Sequence, residues 1–132
     1  MTIEPKFLTL DQVLVLHQMQ IELFGGIGGV KDEGLLRSAL AQPESGFNGV
    51  YFHEELYDMA SAYLFHLVKN HAFIDGNKRI AAITAAVFLE VNGLTVIADE
   101  KEFEKIVMDA AQSLLTKKQI ADFFRKNASI IS

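Results

Sequence analysis

A chain of 132 residues, half of them apolar and 22% charged, has the size and composition of one globular domain with its own core rather than of a disordered segment. Its net charge of −5 excludes a general nucleic-acid binder, which needs a basic face, and disfavours an anionic membrane surface. The absence of cysteine excludes disulfides and thiolate metal sites and fits a reducing cytoplasm; residues 1–6 lack the apolar core of a signal peptide, and no apolar run is long enough to span a bilayer.

The whole of 1–132 reads as a single all-α domain, a helical bundle with one small β-hairpin. Val13, Leu16, Gln20 or Ile21, and Phe24 recur at helical spacing and predict a helix over 8–24, opened by a Thr9/Gln12 capping box and stopped at Gly25-Gly26. The glycines through Gly29 read as turn chemistry, since no Lys-Ser/Thr follows to make a phosphate loop. Asp32 is placed to cap a second helix that runs to Gln42 with Leu35, Leu36, Ala39 and Leu40 inward, and Pro43 ends it. Residues 44–53 lose the helical period. There Gly46-Phe47-Asn48-Gly49-Val50-Tyr51-Phe52 sets turn residues beside aromatic and β-branched ones, the pattern of a hairpin.

Residues 54–70 return to helical spacing through Leu56, Met59, Ala60, Tyr63, Leu64 and Leu67. A further helix over 78–92 is apolar on nearly every face, from Ile80 to Leu89, which predicts burial; Gly93 stops it. Leu94–Ile97 is short and extended, and helices over 100–113 and from the Thr116/Gln119 capping pair to Asn127 complete the bundle. His17, His53 and His66 read as surface or hydrogen-bonded packing residues. His66 and His71 are five apart, which does not place them one turn above each other as a helical metal pair requires.

Between the two apolar helices lies the densest polar stretch of the chain, His71-Ala72-Phe73-Ile74-Asp75-Gly76-Asn77-Lys78-Arg79. Unpaired buried charge is costly, so such a cluster either faces a solvated cleft or holds a ligand. Asp75-Gly76-Asn77 is turn chemistry, with Asn77 able to cap a helix starting near Lys78. A helix start offers N–H groups and the positive end of the macrodipole, and Lys78 and Arg79 add full charges, so the guest is an anion such as phosphate. A carboxylate at Asp75 repels phosphate unless a divalent cation such as Mg²⁺ bridges the two. His71 is suited to take a proton from a hydroxyl. Phe73 reads as a core anchor for the backbone on either side, and Ile74 as structural. The set describes phosphoryl or nucleotidyl transfer to a hydroxyl.

The stretch resembles the Fic/Doc signature, His-Pro-Phe-x-Asp/Glu-Gly-Asn-x-Arg, with Ala72 where Pro is usual. Lys78 before the final Arg resembles the death-on-curing (Doc) branch, as does Gly25–Leu40, and the similarity runs roughly from Leu8 to Gly93. The resemblance implies a Fic/Doc helical fold in which His71 is the general base and Asp75 the Mg²⁺ ligand. It implies that Gly76 and Asn77 hold phosphate oxygens, and that Lys78 and Arg79 hold the phosphates of ATP. It also implies that the hairpin Phe47-Asn48-Gly49-Val50-Tyr51 is a flap that docks the target segment over the site. Adenylylating Fic enzymes commonly carry Gly at the position of Lys78 and a second Arg where this chain has Ala82. In the Doc branch the Lys is thought to reverse the nucleotide and present its γ-phosphate, which implies a Ser/Thr kinase toxin acting on elongation factor Tu. Gly76 leans toward the Fic pattern and keeps adenylylation as the alternative, with a non-catalytic corepressor as a third. The chain carries no Ser/Thr-x-x-x-Glu-Gly/Asn inhibitory pattern, so a separate antitoxin is the expected regulator.

Overall fold

The computed structural model describes residues 4–131, so the reading of residues 1–6 falls partly outside the described residues. Their elements in chain order are α1 (Leu10–Phe24), α2 (Glu33–Ala41), β1 (Gly46–Phe47), β2 (Val50–Tyr51), α3 (Leu56–Asn70), α4 (Asn77–Val91), β3 (Leu94–Val96), α5 (Glu100–Ala111), α6 (Lys117–Asn127) and β4 (Ala128–Ile130).

The helix boundaries follow local chemistry. Thr9 and Gln12, and again Thr116 and Gln119, form reciprocal capping boxes, and Asp32 accepts the Leu35 N–H at 2.9 Å. Each such cap is worth about 1 kcal/mol. The predicted 54–70 helix opens two residues later, with Glu55 as its cap, and the predicted 100–113 helix closes at Ala111. In α2, Leu36, Ala39 and Leu40 are buried as expected, but Leu35 is 41% exposed, because it stands one position off the buried stripe.

Helix α3 is the central post, packed against α2, α4, α5 and α6, while α4 also packs on α1. Met59, Tyr63, Leu64 and Leu67 of α3 are fully buried, as are Ile80, Phe88 and Leu89 of α4. Each contributes roughly 1.5–3 kcal/mol of burial. Two antiparallel ribbons decorate the bundle. β1 pairs with β2 through an Asn48-Gly49 turn, the predicted hairpin. β3 pairs with β4, joining Leu94 to Ile130 and Val96 to Ala128, so the predicted extended stretch at 94–97 has a partner that sequence pattern did not show.

Candidate active site

The polar stretch lies between the end of α3 and the start of α4. His71 ends α3 in the left-handed region, at φ 48° and ψ 50°, an uncommon place for a side chain with a Cβ and one that turns the exposed imidazole away from the helix. The chain then runs against the glycine-rich loop that follows α1. The N–H groups of Lys31 and Asp32 both donate to the Ala72 carbonyl, at 2.8 and 3.0 Å, and that of Ile74 donates to the Gly29 carbonyl at 3.1 Å. Val30 and Phe73 form an antiparallel bridge. The glycine loop, expected to be a plain turn, is therefore also tied to the backbone of the motif. Gly26 shows why it is glycine: its φ is +115°, and a Cβ there would stand 2.8 Å from Oδ2 of Asp75.

Three side chains hold the stretch in shape. Phe73 is fully buried, the anchor expected of it, with its ring stacked on His17 at a centroid distance of 3.8 Å. His17, itself buried, donates from Nε2 to the Asp75 carbonyl at 2.8 Å. His17 is thus the hydrogen-bonded packing residue expected, though sequence pattern did not show its partner in the motif. The signal was the placement of His17 one turn after Val13 and one turn before Ile21, an imidazole on an inward stripe. Asn77 is the third. Its Oδ1 accepts the Phe73 N–H and its Nδ2 donates to the Phe73 carbonyl, each at 3.0 Å, closing a buried ring across the turn. One expectation for Asn77 is corrected: it begins α4 instead of capping it.

The cap is Gly76, in the left-handed region at φ 74°, a conformation that costs glycine little, and no side chain caps the helix. The first N–H groups of α4 consequently face outward with the positive end of the helix dipole behind them. Lys78 and Arg79 flank them, both exposed. Arg79 donates from Nη1 to the Gly25 carbonyl at 3.1 Å, and its guanidinium lies 5.5 Å from the Phe24 ring centroid, which fixes one side of the fork.

Asp75 is exposed and accepts the Gly76 N–H at 2.8 Å and the Ile27 N–H at 3.2 Å. Those two N–H groups, first that of Ile27 and then that of Gly76, hold its carboxyl below the usual carboxylate range, with the Arg79 charge adding to the effect. Each carboxylate oxygen keeps a further acceptor site. Among the described residues no three His, Asp or Glu side chains converge on a point, so the donor set is one carboxylate. That set suits Mg²⁺, which is often held by one or two carboxylates together with phosphate oxygens.

His71, Asp75, Gly76, Asn77, Lys78 and Arg79 all line one cleft of about 620 Å³, whose far wall includes Ala111 and Gln112 at the end of α5. Lys78 and Arg79 also line a neighbouring, mainly apolar cleft of about 510 Å³ formed with Ala82, Phe103, Val107 and Met108, with Glu100 and Glu104 in its lining. A polar chamber thus opens onto a mainly apolar one across two cations.

The β1–β2 hairpin forms as expected. Phe47, Asn48, Gly49, Val50 and Tyr51 line a separate depression, and none of them lines the cleft around His71. Tyr51 donates to Glu4 and packs edge-on against Phe7, and the chain beyond it is tied at His53 to Lys117. The ribbon held against the motif by backbone hydrogen bonds is the glycine loop. His53 and His66 are hydrogen-bonded packing residues as expected, both accepting from Lys117 Nζ at 3.2 Å.

Comparison with known proteins agrees with this geometry. The model of the Fic/DOC family matches residues 7–89, which contain the glycine loop and the whole stretch from His71 to Arg79. A protein named Toxin Doc from Mycolicibacterium smegmatis is 46% identical over 76 residues, which are 58% of this chain and 58% of that protein. A protein named Protein kinase doc from Escherichia phage P1 is 28% identical over 118 residues, covering 88% of this chain and 90% of its own.

Proposed function

Because this chain belongs to the Fic/DOC family, we propose that it is the toxin of a toxin–antitoxin pair and transfers the γ-phosphate of ATP to a Ser or Thr hydroxyl of a protein, with elongation factor Tu as the target. The observation that carries this reading is the uncapped start of α4, with Lys78 and Arg79 beside it and His71 facing the same cleft.

In this arrangement the phosphates lie over the first N–H groups of α4, and the nucleoside enters the apolar cleft beside Phe103, Val107 and Met108. The target oxygen bonds to the γ-phosphorus as the bond from that phosphorus to the β–γ bridging oxygen breaks; ADP leaves, and the hydroxyl proton passes to His71. Mg²⁺ held by Asp75 and phosphate oxygens would offset the negative charge of the nucleotide. Little covalent work falls to the protein, so positioning and charge carry the rate. The choice of kinase over adenylyltransferase rests on Lys78 together with Ala82, which puts a methyl group where a second Arg would grip phosphate in the adenylylating orientation. The name of the phage relative points the same way. A target segment would be docked by the β1–β2 hairpin, whose exposed Phe47 and Val50 offer apolar side chains. Inhibition falls to a separate antitoxin.

Expression in bacteria tests the reading. The wild-type chain should arrest growth, and His71→Asn should not, with the rate of transfer reduced about 10²-fold or more. Asn is the clean variant because it tolerates the left-handed backbone that His71 adopts. Undiminished arrest by His71→Asn would exclude the imidazole as the base.

A further inference from the structure

One more cation stands at the site, outside the motif. Lys31 belongs to the glycine loop, and its backbone is pinned: its own N–H and that of Asp32 share the Ala72 carbonyl, while Val30 bridges Phe73. From that fixed point its side chain sets Nζ 3.3 Å from Nδ1 of His71. An ammonium has donors only, so Nδ1 is the acceptor of this pair, and a neutral ring then carries its single proton on Nε2. In that state neither nitrogen is offered freely to an incoming hydroxyl. Nδ1 is covered, and Nε2 is already protonated.

We propose that Lys31 is a latch on His71, a positioning residue that keeps the base silent until phosphate oxygens in the cleft draw the ammonium away. The release works whichever nitrogen meets the target hydroxyl: Nδ1 is uncovered directly, and Nε2 becomes an acceptor once the ring is free to move its proton to Nδ1. The contact is between exposed groups and therefore weak, whereas a nucleotide carries several negative charges into the cleft that His71 shares with Lys78. Competent base and bound nucleotide then arise together, which guards against idle proton chemistry. The proposal rests on the phosphotransfer reading for the identity of the anion and for the role of His71 as base.

Nitrogen-15 spectra of the His71 ring in the full chain test it, with Lys31→Met and Lys31→Arg beside the wild type and the β–γ imido analogue of ATP with Mg²⁺ as the probe. Without nucleotide the wild-type ring should carry its proton on Nε2, Lys31→Met should show the two tautomers exchanging, and Lys31→Arg, which still brings donors, should keep the wild-type pattern. The analogue should move the wild-type spectrum toward that of Lys31→Met. Coincident spectra for wild type and Lys31→Met without nucleotide would overturn the contact, and a wild-type ring unchanged at saturating analogue would overturn the release. Phosphate transfer is a separate readout: a chain with the tautomer shift and no transfer contradicts the kinase reading and leaves the latch in place.

Discussion

Replacing Asn77 by Ala strips the Phe73 N–H and C=O of their partners at a buried position, which places the effect in the fold before the chemistry. Leaving two buried backbone groups unsatisfied costs roughly 1–3 kcal/mol each, so Asn77→Ala should lose about 2–6 kcal/mol of stability. Urea unfolding measures it. A midpoint equal to wild type, together with weakened nucleotide binding, would leave Asn77 the role of phosphate ligand alone. The sequence showed that an amide was needed here but not which partner it takes, because Asn can face a ligand or the backbone of its own turn equally well. Lys78, Arg79, Asp75 and His71 were more legible: exposed charges beside a helix start have few structural uses, and all four line one cleft. The partner of His17 was not legible, since it is the Asp75 carbonyl, 58 residues away, and nothing local to α1 announces that bond.

Between elements, the contact most sensitive to acid is the one that joins the hairpin's exit, α3 and the start of α6 through His53, His66 and Lys117. Burial comes first, and the Lys117 charge second, in pushing His66 down to about 4 from its ordinary 6.5; His53 is lowered for the same two reasons. The unfolded chain takes up a proton at His66 as the pH falls through 6.5, while the folded chain does not until about 4. Stability should therefore be full above the upper value and fall as the pH drops toward the lower one. Urea midpoints across that window check it, with His66→Gln flattening the fall; a wild-type midpoint independent of pH there would mean that His66 is not held neutral. The elements themselves were largely readable. Capping boxes and the 3.6-residue period reported local backbone choices that tertiary packing did not override. What escaped was pairing between distant segments. Ala128-Ser129-Ile130 is a strand only because Leu94–Val96 lies beside it, and Gly29–Asp32 is held against the motif only because residues 72–74 supply its partners. The hairpin shows the converse, a local signal correctly read whose location no local signal could give.

For the whole molecule, the bundle places one polar and one apolar cleft on either side of Lys78 and Arg79, so the direction in which a nucleotide lies across that pair decides which phosphorus meets the target hydroxyl. On the proposed reading, a cation at Lys78 with only a methyl group at Ala82 presents the γ-phosphate end. Elongation factor Tu incubated with this chain and ATP labelled at either the γ- or the α-phosphate tests that directly, with Lys78→Ala as the control that removes the ammonium while leaving the helix intact. The account predicts γ-label on the target, no α-label, a mass gain of one phosphate, and a steep loss with Lys78→Ala; stable α-label carrying the mass of an adenylyl group would contradict it.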